Sequence, residues 1–211
     1  LSATPPQDTL RSLRIAKTNG ASITLESDSY VLDSLEISYG VIVTNGHTLI
    51  MGPHATVTRT SGYVRGRLRK EIIVNIAANS ISMQSAPTIT FEVGGAAGYT
   101  PVEVNYDHVA SPGALTVSTT DGEHPNAGAS GMDLARDVNR YWTMSLDRAP
   151  EPSESFTATF HWLASDVDAG STYGVFDVFN KAASWSRHAA SLRQADRITA
   201  AVEAVGDRTR V

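Results

Sequence analysis

The sequence predicts an all-β fold, in which a short β-solenoid-like or hairpin N-terminal part packs on an antiparallel β-sandwich. Apolar and polar residues alternate along most segments, as around Ile23 and Leu25, and this period of two is typical of half-buried strands. Turn-forming pairs such as Asn45-Gly46 separate the segments at short intervals. Charged residues make up only 18% of the chain, which suits extended strands better than charged surface helices.

Composition excludes several classes of function. The 211 residues carry a net charge of −5, which argues against a general nucleic-acid binder. The absence of cysteine rules out disulfides, thiolate nucleophiles and cysteine-based metal sites. No apolar run approaches the roughly 20 residues that a membrane-spanning helix needs. The polar start at Leu1, without Met, predicts a processed, exported chain or a fragment of a longer protein.

The first part of the chain divides into an arm and a region of short strands. Residues 1–17 form an arm with a strand candidate around Leu10, Leu13 and Ile15, which could be donated to the sheet edge of a neighbour. Residues 18–66 continue with short strands at nearly even spacing. A run of β-hairpins fits this pattern, and so do a few coils of a β-solenoid. We expect the solenoid.

Residues 67–211 are predicted to form the sandwich. The segments "TITFEVG", "ALTVSTTD", "NRYWTMSL" and "SFTATFHWLAS" alternate and are separated by turn signals, as expected for two packed antiparallel sheets. The C-terminal "SLRQADRITAAVEAVGD" is ambiguous. Its helix formers favour a helix, whereas the alternation in "RITAAV" also suits a strand.

Several motifs occur in an order that resembles a known family. They are "SGYVRGRLRKE", "TFEVGGAAGYTPVEV", "DGEHPN", "DVNRYWTMS" and "FTATFHWLASDVDAG". The order resembles β-rich repeat and sandwich modules of large secreted bacterial cell-surface proteins, with solenoid-like strands, a GYVxG link, and FxVG…YxPV and NRYW strands. The resemblance implies that the C-terminal tail supplies closing strands, that the protein is extracellular, and that it has no catalytic residues.

The basic stretch on the predicted link is expected to be a polar strand face. Arg65, Arg67 and Arg69 are spaced by two, so they share one face of a strand, followed by Lys70. A nucleic-acid site would need interleaved aromatic residues, and only Tyr63 is near. We expect a solvated or interface face whose charges pair with acidic residues of a neighbouring strand or chain.

Candidate metal and catalytic residues are few. Asp166 and Asp168 have a D-x-D spacing that could contribute to a calcium site, but the further ligands of an EF-hand loop are missing. Asp121, Glu123 and His124 share one turn-rich loop without a nucleophile nearby. The sequence therefore predicts a protein that is not an enzyme and has no cofactor, with calcium as the one metal worth testing.

Two functions fit these observations. The first is a structural subunit or module of a bacterial surface assembly, filament or adhesive fibre, whose partners are other copies of itself. The alternative is a carbohydrate- or surface-binding module, in which Tyr141, Tyr173 and Trp185 would form a platform for surface glycans. Trp142 and Trp162, which lie in alternating strands, are expected in the sandwich core.

Overall fold

The structure, a computed structural model, is built almost entirely from β-strands. It describes residues 8–18, 20–72, 88–108, 112–148, 155–181, 184–203 and 207–210. Within these ranges the helical segments are three short 3-10 turns, Ala127–Ala129, Ala164–Asp166 and Tyr173–Val175, and no helix is long and apolar enough to cross a membrane. The all-β prediction is confirmed.

Residues 8–72 form strands that stack in parallel. Ser22 pairs with Val41, 19 residues further along the chain, and Leu35 pairs with Val57, 22 residues further along. Parallel pairs at such intervals are the coils of a β-solenoid, because successive hairpin strands would pair antiparallel. The solenoid prediction is thus confirmed over the hairpin alternative. The strands are β1 Asp8–Ala16, β2 Ser22–Thr24, β3 Ser29–Tyr39, β4 Val41–Met51, β5 Thr56–Arg59 and β6 Tyr63–Ile72.

Apolar side chains of alternate positions fill the solenoid interior. Val31, Leu35 and Ile37 of β3 are fully buried, as are Ile42 and Leu49 of β4. Since parallel neighbours point to the same side of a sheet, each coil places its apolar row on the row of the next coil. The interior is therefore a continuous stack of aliphatic side chains.

Strand β6 belongs to the solenoid and to the sandwich at once. On one side it pairs in parallel with β4. On the other side it pairs antiparallel with a sandwich strand, β9 (Gly113–Asp121), where Leu68 lies opposite Val117. The expected division between residues 66 and 67 therefore falls inside a single strand, and one sheet runs through both regions.

Gly66 allows β6 to lie against β4 at this point. Its φ is +119°, and a Cβ atom there would lie 2.0 Å from Oγ1 of Thr44. The same hydroxyl oxygen accepts a hydrogen bond from the backbone N–H of Arg67 at 3.1 Å. A side chain at position 66 would thus meet backbone strain and displace a polar contact between the two strands.

The sandwich consists of two sheets. Their strands, in addition to β6 and β9, are β7 Ile89–Phe91, β8 Val102–His108, β10 Arg140–Leu146, β11 Ser155–His161, β12 Val178–Lys181, β13 Trp185–His188, β14 Ala190–Arg193, β15 Arg197–Glu203 and β16 Asp207–Arg210. The first sheet continues from β6 in the order β6-β9-β10-β16-β12-β13, and the second has the order β14-β15-β11-β8-β7.

The sandwich core and the C-terminal strands follow the alternating pattern. Trp142 of β10 packs on Phe160 of β11 with ring centroids 5.0 Å apart, and both Trp142 and Trp162 are buried. The ambiguous C-terminal segment forms β14 and β15, which pair antiparallel. The strand interpretation is confirmed, because Ile198 and Ala200 become buried core residues.

We predict that Gly66→Ala destabilises the protein by about 3 kcal/mol, combining backbone strain at positive φ with a forced shift of Thr44. Gly46→Ala is the matched control: Gly46 also has positive φ, at +86°, but a Cβ atom there meets nothing within 4 Å. That variant should lose about 1 kcal/mol. Urea unfolding of both variants measures the difference, and equal losses would contradict the role of the Thr44 contact.

Candidate functional site

The apolar interior of the first coil of the solenoid is exposed at Leu10, whereas Ile15 further along the same strand is buried. Leu10 on β1 pairs with Val31, and Val31 pairs with Met51 in the next coil. Along this row the exposed fraction is 38% at Leu10, 0% at Val31 and 1% at Met51. Leu10 is therefore an inward-facing residue that no further coil of the described residues covers.

Polar contacts fix β1 to β3 in this register. Two exposed ion pairs and one hydroxyl contact join the outward faces of the strands, and each contributes less than about 1 kcal/mol. They are Arg11 with Asp33 at 3.0 Å, Arg14 with Glu36 at 3.2 Å, and the Ser34 hydroxyl donating to Ser12 Oγ at 2.9 Å.

Residues 8–16 of the expected arm thus belong to the first coil of the solenoid in the same chain. Leu10, Leu13 and Ile15 pair with β3 of the same chain, opposite Val31, Leu35 and Ile37. This corrects the division at residue 17, because the arm is not separate from the region that follows. In the described part of the chain, β1 is the last strand of its sheet and no strand pairs with its outer edge.

The opposite end of the solenoid is covered along β6. Val64 forms a parallel bridge with Val93, and the backbone N–H of Gly94 donates to the Val64 carbonyl at 2.9 Å. Further along β6, residues Leu68–Ile72 pair antiparallel with β9. The open end and the covered end make the solenoid asymmetric.

The basic stretch forms a polar face, and two of its four charges have acidic partners. Arg65 and Arg67 are exposed, and Arg69 pairs with Asp147 at 2.8 Å. Lys70 instead reaches Glu92 at 2.7 Å in a largely buried pair. Burial lowers the pKa of Lys70, and Glu92 opposes this shift. The expected pairing with acidic residues of neighbouring strands is present for two of these four side chains.

The loop residues Asp121, Glu123 and His124 do not form a common site. Asp121 forms an ion pair with Arg140, in which Oδ1 lies 2.5 Å from a guanidinium nitrogen. Glu123 interacts with Asp137. His124 lies between aromatic rings, and its pKa is lowered by burial and by the nearby charge of Lys181. Three neighbouring residues thus enter three different clusters.

Arg140 is the centre of a buried ion network. Its side chain is fully buried, and it binds both oxygens of Asp166 at 2.7 and 3.2 Å. It also donates to Thr119 Oγ1 at 3.1 Å and pairs with Asp121. Asp166 accepts a further hydrogen bond from the Leu163 N–H at 2.8 Å. The network joins β9 and β10 to the loop that follows β11.

The calcium candidates Asp166 and Asp168 are occupied by protein contacts. Both oxygens of Asp166 bind Arg140. Asp168 accepts from the Asn139 side chain at 2.7 Å and from the Asp137 backbone N–H at 3.2 Å. Among the described residues no group of three or more His, Asp or Glu side chains is arranged to hold a metal ion.

Two of the three proposed glycan-platform residues come together. Tyr141 and Trp185 contact His124 edge-on, with centroids 5.0 and 5.2 Å away, and the Trp185 indole donates to the Asn126 carbonyl at 3.2 Å. Tyr173 lies in a separate 3-10 turn and is 47% exposed. Sugar binding by these residues stays a prediction.

Comparison of the chain with protein-family models, with curated proteins and with solved structures gave no match.

Sequence reasoning missed Arg140 and the cluster around Asp137. A signal for Arg140 was present in the alternation of β10. Arg140 lies on the same, inward face of the strand as Trp142, Met144 and Leu146, which are all buried. An arginine at such a position needs a buried acid. The Asp137 cluster, which consists of Asp137, Glu123 and Asp168, had no comparable signal. Glu123 and Asp137 lie far apart in the connection between β9 and β10, and Asp168 comes from the connection after β11.

We predict that Arg140→Met destabilises the protein by about 4 kcal/mol, since it leaves the buried Asp166 without its counter-charge. Arg14→Met is the control, because it removes an exposed ion pair and should change stability by less than about 1 kcal/mol. Chemical denaturation of both variants at neutral pH measures the effect. Losses of the same size would show that the buried network has no special role.

Proposed function

We propose that the protein is an extracellular structural module of a bacterial surface assembly, filament or adhesive fibre, and that it associates with other copies of itself through the open first coil of its solenoid. The observation that carries this proposal is the exposure of Leu10 on an otherwise buried row. The extracellular, bacterial setting rests on the motif resemblance in the sequence.

The open coil has two features that favour addition of another strand. Its outer edge is not paired with any strand of the described residues, and such an edge is a template for another strand. Its interior row begins with Leu10, beside the half-buried Leu13. A strand from a second copy would supply hydrogen bonds and apolar cover together, which is how strand addition gives affinity.

A point substitution tests this proposal better than a deletion of the first strand. Removing residues 1–17 would delete β1 and uncover Val31, Leu35 and Ile37 of the next coil. The truncated chain would have a new open end of the same kind, so its assembly would say little. A point substitution on the inward face of β1 keeps the coil and changes only its apolar surface.

We predict that Leu10→Lys weakens self-association by roughly tenfold to a hundredfold, because one leucine side chain buried at a contact contributes about 1.5–3 kcal/mol. Leu192→Lys is the matched control, since Leu192 on β14 is 42% exposed and lies outside the solenoid. Size-exclusion chromatography with light scattering and electron microscopy measure the assembly, and circular dichroism confirms the fold.

Two results would contradict the proposal. One is a native chain that stays monomeric over the whole concentration range. The other is a Leu10→Lys variant that assembles as well as the native chain.

A further inference from the structure

A cavity of about 360 Å³ lies between the two sheets of the sandwich. Its walls are mostly apolar and aromatic, and they include Trp142, Phe160, Trp162 and Phe176. The rim includes Val175, which is 73% exposed. Sandwich cores are normally filled to high density, whereas cavities of this size with aromatic walls are typical of small-molecule sites.

One wall of the cavity carries a hydrogen-bond donor without a partner. Trp142 is 3% exposed, and its indole N–H is buried and meets no acceptor in the described part of the chain. The neighbouring Trp162 differs, because its indole donates to the Ala195 carbonyl at 2.9 Å. Buried donors are nearly always paired in native proteins, so the Trp142 indole is available to an acceptor atom of a ligand.

A carboxyl group with no hydrogen-bond donor also lines the cavity. The two side-chain oxygens of Asp137 are buried, and no N–H or hydroxyl group in the ranges that the structure describes donates to them. The groups that face Asp137, and with which its side chain makes hydrogen bonds, are the carboxyls of Glu123 and Asp168. Burial, reinforced by Glu123 and then by Asp168, raises the pKa of Asp137 to about 7.

The other charges around the cavity are paired or lie on its outer rim. Asp177 is held by Arg187, whose Nε lies 2.7 Å from Oδ2, and by Arg193. Asp133 and Arg136 are exposed at the rim. Asp137 is therefore the carboxyl that a cationic group entering the cavity would meet without a protein counter-charge.

We propose that this cavity binds a small organic amine. Its apolar or aromatic body would lie between the aromatic walls, a hydroxyl or carbonyl oxygen would accept from the Trp142 indole, and its ammonium group would pair with Asp137. Aromatic ring faces attract cations, and an ammonium–carboxylate hydrogen bond is stronger than a neutral one. The ligand thus supplies one partner to each unpaired group.

The test compares two probes on the full chain. Tyramine carries an aromatic body, a phenol oxygen and an ammonium group, whereas tyrosol has a hydroxyl in place of the ammonium. Calorimetry and tryptophan fluorescence measure binding, since Trp142 and Trp162 line the cavity. At about pH 8 tyramine should bind about tenfold more tightly than tyrosol.

The preference should depend on pH in a definite direction. Asp137 has a pKa of about 7, so at about pH 5.5 it holds its proton and offers no negative charge. An aliphatic ammonium stays protonated across this range. Tyramine should therefore bind more weakly at the lower pH, while tyrosol should change little.

Three variants complete the experiment. Asp137→Asn keeps the shape of the side chain and should bind both probes equally. Asp33→Asn, on β3 of the solenoid, removes a carboxylate outside the cavity and should keep the native preference. Trp185→Phe should keep the fluorescence response, because Trp185 does not line the cavity.

Any of three results would overturn the proposal. They are no binding of tyramine by the native chain, equal binding of tyramine and tyrosol at about pH 8, and unchanged tyramine affinity in Asp137→Asn.

Discussion

Strand β6 is hydrogen-bonded on both sides, by β4 in parallel and by β9 in antiparallel pairing. A strand that ends a solenoid would otherwise present a row of unsatisfied N–H and C=O groups. Here the bridge from Val64 to Val93 and the ladder from Leu68 to Ile72 satisfy that row. The sandwich therefore caps one end of the solenoid, and the position of Gly66 against Thr44 makes the close approach possible.

The same arrangement explains why the two ends of the solenoid differ. Coils contact only their neighbours, so the interior of a terminal coil stays exposed unless another element covers it. β9 and residues 93–94 cover β6, whereas β1 has β3 on one side only within the described residues. The exposed Leu10 on β1 and the buried Leu68 on β6 thus lie at opposite ends of the solenoid.

The loops of the sandwich contain one buried charged group that is paired with opposite charges and one that has no counter-charge. Arg140 meets two carboxylates and a hydroxyl, so its network is closed. Asp137 is buried beside the carboxyls of Glu123 and Asp168, and burial together with these acids raises its pKa without supplying a counter-charge. The Arg140 network stabilises the fold because its charges are paired. The Asp137 carboxyl lines the cavity between the sheets, where a cationic ligand would supply the missing counter-charge.

Much of the fold could be predicted from local patterns, but the pairing could not. Alternation at Ile23 and Leu25 identifies strands, yet a period of two is the same in parallel and antiparallel sheets. The sequence pattern fitted both the expected solenoid and hairpins, and the parallel register that joins Leu35 to Val57 decides between them.

Site residues were harder to predict because their partners are distant in sequence. Asp121 and Glu123 are two residues apart, but one binds Arg140 and the other interacts with Asp137. Nothing in the loop sequence indicates that the two carboxylates have different partners. The open first coil was similarly hidden, since Leu10 has the same alternating pattern as the buried Val31.

Hydrogen–deuterium exchange at low and high protein concentration tests the central claim most directly. If the sandwich seals β6 and the first coil stays open for another copy, amides of residues 63–72 should exchange slowly at both concentrations. Amides of residues 8–16 should exchange fast in dilute solution and become protected on concentration. Exchange in residues 8–16 that is already as slow as in residues 63–72, or that does not change with concentration, would contradict the account.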